Sequence, residues 1–437
     1  MKFEKRVSWK VAIALVLVAS LISATFVYVF AVSPSSTFTI SSGIYPGAPT
    51  YTIWREGSNY FAKDANGVLA YSGTVAYTLI QDVFDQNPQS IFFKEGTYDL
   101  NGQTVTATAP IIIWGEGKNS ILQGGTLKMV PSFIWNYGTK ISNLGFESAG
   151  SVTQLWLNNL THAVVSNIIF TKTSYAVGVP SLRLTNCSSI KVEYNWFDGF
   201  NMQCLRIDGT PYVGGAFDTI IFNDFGSTGV EFPSYTNPWD IAAIYVQGPY
   251  NWAVTISDNI GYLNPKNIFV YSEATRMTIN NNRLAGGYNN YMIDLQEDTN
   301  TVTGNHISLV NDAKGAIAIR YTNNLELVRF YNLIDGNEIQ GANSEAAIFG
   351  VLQRSVIANN VIGATRGIKL TNSAYNVIQG NTVCGMFEYQ FFGFNETGSS
   401  DYNILVGNWV RLTYIYKSGV NTRITACYND SAWIEHG

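Results

Sequence analysis

The segment Arg366-Gly-Ile-Lys-Leu-Thr-Asn-Ser-Ala-Tyr-Asn-Val-Ile-Gln-Gly-Asn381 decides how this chain folds. Apolar and polar side chains alternate over a few residues, a polar turn interrupts them, a second short run follows, and the unit closes on an asparagine. Alternation with period two turns one face of a short strand inward, whereas a helix would repeat its apolar positions at three and four. The same unit returns in Val164-Val-Ser-Asn-Ile-Ile-Phe170, in Met277-Thr-Ile-Asn-Asn-Asn-Arg-Leu284 and in Thr301-Val-Thr-Gly-Asn-His-Ile307.

The recurring asparagine falls at positions 143, 167, 195, 223, 259, 282, 305, 337, 360, 381 and 408, with most steps of 21–28 residues and longer ones of 36 and 32 where loops are inserted. Strands this short are not stable singly. They must stack on copies of themselves, which makes one period one turn of a coil built from three short strands. Asparagine suits the bend between strands because it tolerates the left-handed conformation and hydrogen-bonds to its own kind along a stack. Leucine-rich repeats would need a leucine consensus that is absent, and propeller blades need roughly 40 residues. The expected fold is all-β, a right-handed parallel β-helix of about eleven rungs.

The repeat resembles those of the pectate-lyase-like parallel β-helix superfamily. Ser90-Ile-Phe-Phe-Lys-Glu-Gly-Thr-Tyr-Asp99 and Ile113-Trp-Gly-Glu-Gly-Lys-Asn-Ser-Ile-Leu122 resemble its first rungs, and the likeness runs from Thr74 to Asn429. It implies a fold and leaves the activity open, since this fold carries lyases, hydrolases, epimerases, adhesins and non-catalytic surface proteins. Ahead of those rungs, Val75, Leu79, Ile80, Val83 and Phe84 form one helical stripe ending at Asn87-Pro88, the expected cap of the open solenoid end. Tyr51 to Ala62 reads as a small hairpin.

Aligning the first strand of each rung on its inward residues gives an outward row of Trp156, Arg183, Arg206, Tyr245, Phe269, Asp294, Ala318, Phe349 and Lys369. A second row holds Asn158, Thr185, Asp208, Gln247, Tyr271, Gln296 and Arg320. Aromatic faces stack on sugar rings and arginine grips carboxylates, so Trp156, Arg183, Tyr245, Phe269, Tyr271 and Arg320 are the candidate substrate contacts for an acidic polysaccharide. Exposed strand positions favour aromatics and long charged side chains in any case, and Arg183 and Arg206 are placed to pair with Asp208, so a structural reading stands beside the binding one. Two insertions flank the face, one with Glu231, Tyr235, Trp239 and Asp240, the other Ser308 to Gly315 with Asp312.

Within the resemblance, galacturonase-type hydrolases share N-T-D, D-D, H-G and R-I-K segments. Only Arg366-Gly-Ile-Lys369 echoes one of them; there is no Asp-Asp pair, and His436-Gly437 ends the chain. Pectate lyases use an arginine or lysine base with calcium held by acidic residues. On that pattern Arg206 and Lys369 are the candidate bases, and Asp208 and Asp294 the candidate calcium ligands. A hydrolase would have Asp208, Glu231 and Asp240 to draw on. His162, His306 and His436 are too scattered for a copper site.

The chain of 437 residues carries a net charge of −5 and only 13% charged residues. Without the segment before Ser33, 22 basic residues stand against 30 acidic ones. That balance, with no basic cluster, excludes nucleic acid as the partner. Lys2, Lys5, Arg6 and Lys10 precede an uncharged run from Val11 to Val32, long enough to span a bilayer. Residues 1–33 are therefore expected to be a signal peptide or a signal anchor, residues 34–73 a linker with the hairpin, and residues 74–437 the capped β-helix, outside the membrane. The triplets beginning at Asn159, Asn186, Asn395 and Asn429 match the glycosylation sequon. Cys187, Cys204, Cys384 and Cys427 show no C-x-x-C spacing; a Cys187–Cys204 disulfide and four buried thiols are both open.

Two functions follow. The preferred one is an exported or membrane-anchored cell-surface protein that contacts a glycan without cleaving it, because no catalytic signature survives. The other is a polysaccharide-cleaving enzyme, first a calcium-dependent uronate lyase and next a glycoside hydrolase.

Overall fold

A computed structural model describes residues 48–436 apart from 132–137, 175, 201–202, 210–215, 227–236, 249–250, 263–267, 288, 311–312, 321–330, 385–391, 412–414 and 430–431. The N-terminal segment 1–33, most of the linker, Glu231, Tyr235 and Asp312 lie outside the described residues. Among those described, no helix is long and apolar enough to cross a membrane.

The protein is an all-β, right-handed parallel β-helix of 11 turns. The described strands form two sheets, one of 29 strands and one of 13. Most rungs give two short strands to the first sheet and one to the second. The rungs are in register, as in Thr278↔Thr301↔Leu333 and Arg283↔His306↔Glu338. The expected cap is the helix Ala76–Phe84, which buries Ala76, Leu79, Ile80, Val83 and Phe84. Val75 is its exposed N-cap rather than part of the buried stripe. The hairpin of Tyr51–Glu56 and Asn59–Asp64 is antiparallel, and its first strand also pairs in parallel with Ser90–Phe93. It therefore starts the coil rather than preceding it.

The asparagine repeat resolves into two adjacent columns at the bend of the first sheet. Asn143 and Asn167 sit in the left-handed conformation with φ of 54° each, and Tyr194, Phe222, Asp258, Asn281 and Asn359 follow in the same column. The hydrogen-bonded column is one residue further on. Asn195, Asn223, Asn259, Asn282, Asn305, Asn337, Asn360, Asn381 and Asn408 are all buried. Along it, the backbone N–H and the side-chain Nδ2 of each asparagine donate to the Oδ1 of the next at 2.9–3.1 Å. Leu144 and Ile168 hold the corresponding places above, so the first two asparagines of the spacing pattern are one residue out of this column. Ile168 N donates to Asn195 Oδ1 at 3.0 Å at the top, and Asn408 Nδ2 reaches Cys427 Sγ at 3.7 Å at the bottom. Buried amides this fully paired avoid the cost of orphaned donors.

A second polar column precedes the strands of the same sheet. It contains Asn300, Asn332, Ser355, Asn376 and Asn403, with Asp218 holding the place nearer the N-terminus. Inside the coil, Phe146, Phe170, Phe197 and Phe225 stack rung on rung at 4.8–5.4 Å, and Phe269 meets Phe225 edge-on. All four cysteines are free thiols, and Cys187 and Cys204 do not pair. Cys187 Sγ donates to the carbonyls of Leu157 and Thr185, and burial pushes the thiol up to about 12.

Candidate functional site

The second sheet sets its outward row by strict pairing. Lys128, Trp156, Arg183, Arg206, Tyr245, Tyr271, Asp294, Ala318, Phe349, Lys369, Asn395 and Tyr416 succeed one another. Two expected positions change. Tyr271, not Phe269, follows Tyr245 in this row. Phe269 points inward, is fully buried and packs with Phe225, so it contacts no ligand. The strand Ile268–Ser272 is buried on both faces, and so are Ala242–Val246, Tyr291–Leu295 and Gly315–Ile319. Alternation alone cannot reveal which side of such a strand faces in.

The row divides into an upper cationic end, a covered middle and a lower mixed end. At the upper end, Lys128 Nζ lies 3.9 Å and Arg183 Cζ 4.9 Å from the Trp156 ring centroid. Arg183 Nε donates to Asp208 Oδ2 at 2.6 Å, and Arg206 Nε to Asp208 Oδ1 at 2.5 Å. Arg206 also reaches Gln247 Oε1 at 3.1 Å. The pairing of both arginines with Asp208 is thus realised. One carboxylate faces two guanidinium groups and the Lys128 ammonium stands beside them, so this end carries excess positive charge on an acidic protein. Arg183 and Arg206 remain 33% and 23% exposed, enough to meet a ligand.

The middle is closed. Tyr245 and Tyr271 are buried with Ile241, Ala242 and Ile268, and Trp239 packs against them. Tyr245 donates to Glu273 Oε2 at 3.2 Å, and burial next to Glu273 raises both tyrosine hydroxyls well above their usual range. At the lower end, the buried Asp294 accepts from Gln296 Nε2 at 2.7 Å and from Arg320 at 3.2 Å. Burial, and to a lesser degree Glu345, raises Asp294, while Arg320, Lys314 and Gln296 oppose the rise; the carboxyl is pushed up to about 6. Arg320 lies over Tyr291 and Phe349, and Lys369 Nζ over Phe349 and 3.7 Å from Glu345 Oε1.

The residues chosen from the sequence are not brought together as an active site. Asp208 and Asp294 are three rungs apart, about 14 Å at the usual strand spacing, farther than one ion can bridge. Each is already held by arginine, and the described residues contain no group of three His, Cys, Asp or Glu side chains able to hold a metal. These carboxylates do not fit a shared calcium. Arg206 and Lys369 are six rungs apart, about 29 Å. Of the hydrolase candidates, Glu231 lies outside the described residues and Asp240 bonds Asn237 at 3.2 Å. The pairings Asp294–Arg320 and Lys369–Glu345 were not expected; positions 294 and 320 stand in different rows and only the register joins them.

No protein-family model matches the chain, and no curated protein matches its sequence. Solved structures do match. Tailspike protein 3 of bacteriophage CBA120 superimposes with a TM-score of 0.62 at 12% identity, covering 96% of this chain and 70% of that one. The surface protein and adhesin PfbA of Streptococcus pneumoniae gives a TM-score of 0.53 at 13% identity, covering 75% of this chain and 95% of that one. At these identities the likeness is one of fold.

Proposed function

We propose that this protein works outside the cell, exported or held by its N-terminal segment, and binds an anionic glycan along the upper end of the second sheet without cleaving it. The observation that carries the reading is the sharing of Asp208 by Arg183 and Arg206, beside Trp156 and Lys128. The carboxylate fixes both guanidinium groups on a rigid sheet, Arg206 gives a further N–H to Gln247, and both side chains keep part of their surface exposed. A uronate or sulfate group meets the arginine donors left free, and the sugar ring packs against the part of the Trp156 ring face that Lys128 and Arg183 leave open. The fold likeness to a surface adhesin and to a phage tailspike agrees with an exterior location.

The test is binding of polygalacturonate to the full chain in detergent, followed by calorimetry. The Arg183→Ala/Arg206→Ala double variant is expected to lose about a hundredfold in affinity, with steep weakening in salt for the parent. Equal affinity in parent and variant removes the reading.

Cleavage is a second reading, favoured by one observation: a carboxyl, Asp294, is buried on the outward row between Tyr271 and Ala318, and that burial pushes it up to about 6, toward the range of a general acid. Arg206, held by Asp208 and Gln247, is placed to clamp a carboxylate rather than to take up a proton. A reducing-end assay over a panel of acidic and neutral glycans decides between the two; new ends that vanish in Asp294→Asn support cleavage.

A further inference from the structure

A separate cleft of about 400 Å³ opens at the C-terminal end of the coil, away from the second sheet, with Tyr375, Tyr402, Val420, Asn421 and Arg423 among its lining residues. Tyr375 and Tyr402 occupy one turn position on successive rungs, with φ of 60° and 55°, and their rings stack at 5.0 Å, 12° from parallel. Both rings are about half exposed. Tyr375 covers one face of Tyr402. Among the described residues no further ring stacks on the other face.

The floor of the cleft is fixed. Asp401 accepts from both the backbone N–H and the side-chain Nδ2 of Asn421, each at 2.7 Å, and these bonds hold its carboxyl below the usual range. That carboxylate is therefore occupied. Arg423 is the charged residue lining the cleft. It extends from the strand Arg423–Asn429, is exposed, and has no ion pair among the described residues. Val420 at the rim is 91% exposed, an apolar side chain left in water.

We infer that this cleft binds a single anionic sugar ring, its apolar face against Tyr402 and its carboxylate or sulfate on Arg423. An aromatic face, an apolar rim and one unpaired guanidinium in a volume of this size are the elements of such a site. A neutral sugar would leave Arg423 without a partner, and a simple anion would leave Tyr402 and Val420 unused. The inference does not rest on the second-sheet reading.

Saturation-transfer NMR on the full chain tests it, with methyl glucuronide as the probe and methyl glucoside and glucose 6-sulfate as comparison ligands. Transfer to the glucuronide ring protons is expected in the parent and in Arg183→Ala/Arg206→Ala. It should fall about tenfold in Tyr402→Ala and in Arg423→Gln, and persist in Tyr402→Phe. A parent signal for glucose 6-sulfate equal to that for the glucuronide supports recognition of charge in general; a signal for the glucuronide alone supports a carboxylate site. Loss confined to the Arg183/Arg206 variant overturns this inference and leaves the second-sheet reading intact. Equal transfer to methyl glucoside overturns the anionic class. Tyr402 and Arg423 are exposed, so unchanged thermal midpoints are expected and confirm that the variants are folded.

Discussion

At the bend of the first sheet, Asn282 holds the place that Asn259 holds one rung earlier and Asn305 one rung later. In the second sheet, Asp294 stands between Tyr271 and Ala318. Both positions are buried. The bend repeats one residue because each amide satisfies the next, so the only function of a position there is to resemble its neighbours. The outward row, apart from the Arg183–Arg206 and Tyr245–Tyr271 steps, changes residue type from rung to rung and buries charge without periodicity. Repetition marks what holds the coil together, and departure from it, where polar groups still find partners, marks positions that stacking does not dictate.

The sharpest way to break this contrast is Asn282→Ala. It deprives Asn259 of the acceptor for two buried donors and removes the Nδ2 group that donates to Asn305 Oδ1 and to the Ile256 carbonyl. A loss of about 4 kcal/mol is expected in urea unfolding; a loss below about 1 kcal/mol would mean that the column is decorative.

Asp218 sharpens the contrast within the polar columns. Its Oδ1 accepts from Ile190 N at 2.8 Å, its Oδ2 has no partner, and burial pushes it up to about 8. The folded protein therefore holds a proton that the unfolded chain releases above about pH 4. This stability is fully present below the unfolded pKa and is lost as pH rises toward 8. Asp218→Asn removes the slope, and the variant should exceed the parent by about 3 kcal/mol near pH 6 while matching it near pH 3.

On the outward row, Asp208→Asn should cost only about 1–2 kcal/mol, because both arginines are partly solvated. Its affinity for polygalacturonate should fall, since the carboxylate that fixes the two guanidinium groups is gone; rising affinity would show that Asp208 neutralises the arginines more than it positions them. Tyr245→Phe should have the smallest effect, about 0.5–1 kcal/mol from one lost hydrogen bond to Glu273.

The fold was readable because asparagine and period-two strands obey the same local rule at every turn. The column position was misread by one residue at Asn143 and Asn167, where asparagine serves the left-handed turn instead of the ladder. The placement of Arg183, Arg206 and Asp208 was readable too, because they lie in strands whose apolar and polar residues alternate, Leu182–Thr185 and Leu205–Asp208. The reading failed at Phe269 and Tyr271. Ile268–Ser272 is covered on both sides, so its parity carries no signal, and only pairing with Ala242–Val246 fixes it. Asp294–Arg320 and Asp218 were hidden for another reason: their properties come from burial and cross-rung neighbours, which spacing does not encode.

The asparagine column also sets how the coil answers a pull. Every Oδ1 in it accepts from the rung before, so a rung can leave from the C-terminal end without disturbing the bonds above, and the last step, Asn408 to the sulfur of Cys427, is the weakest of the series. Tension on the C-terminus should therefore peel the solenoid one turn at a time. Successive ladder residues are 21–36 positions apart, and each release should lengthen the chain by about 7–13 nm. Under tension the protein should therefore dissipate energy in steps, one turn after another, rather than yield in a single event.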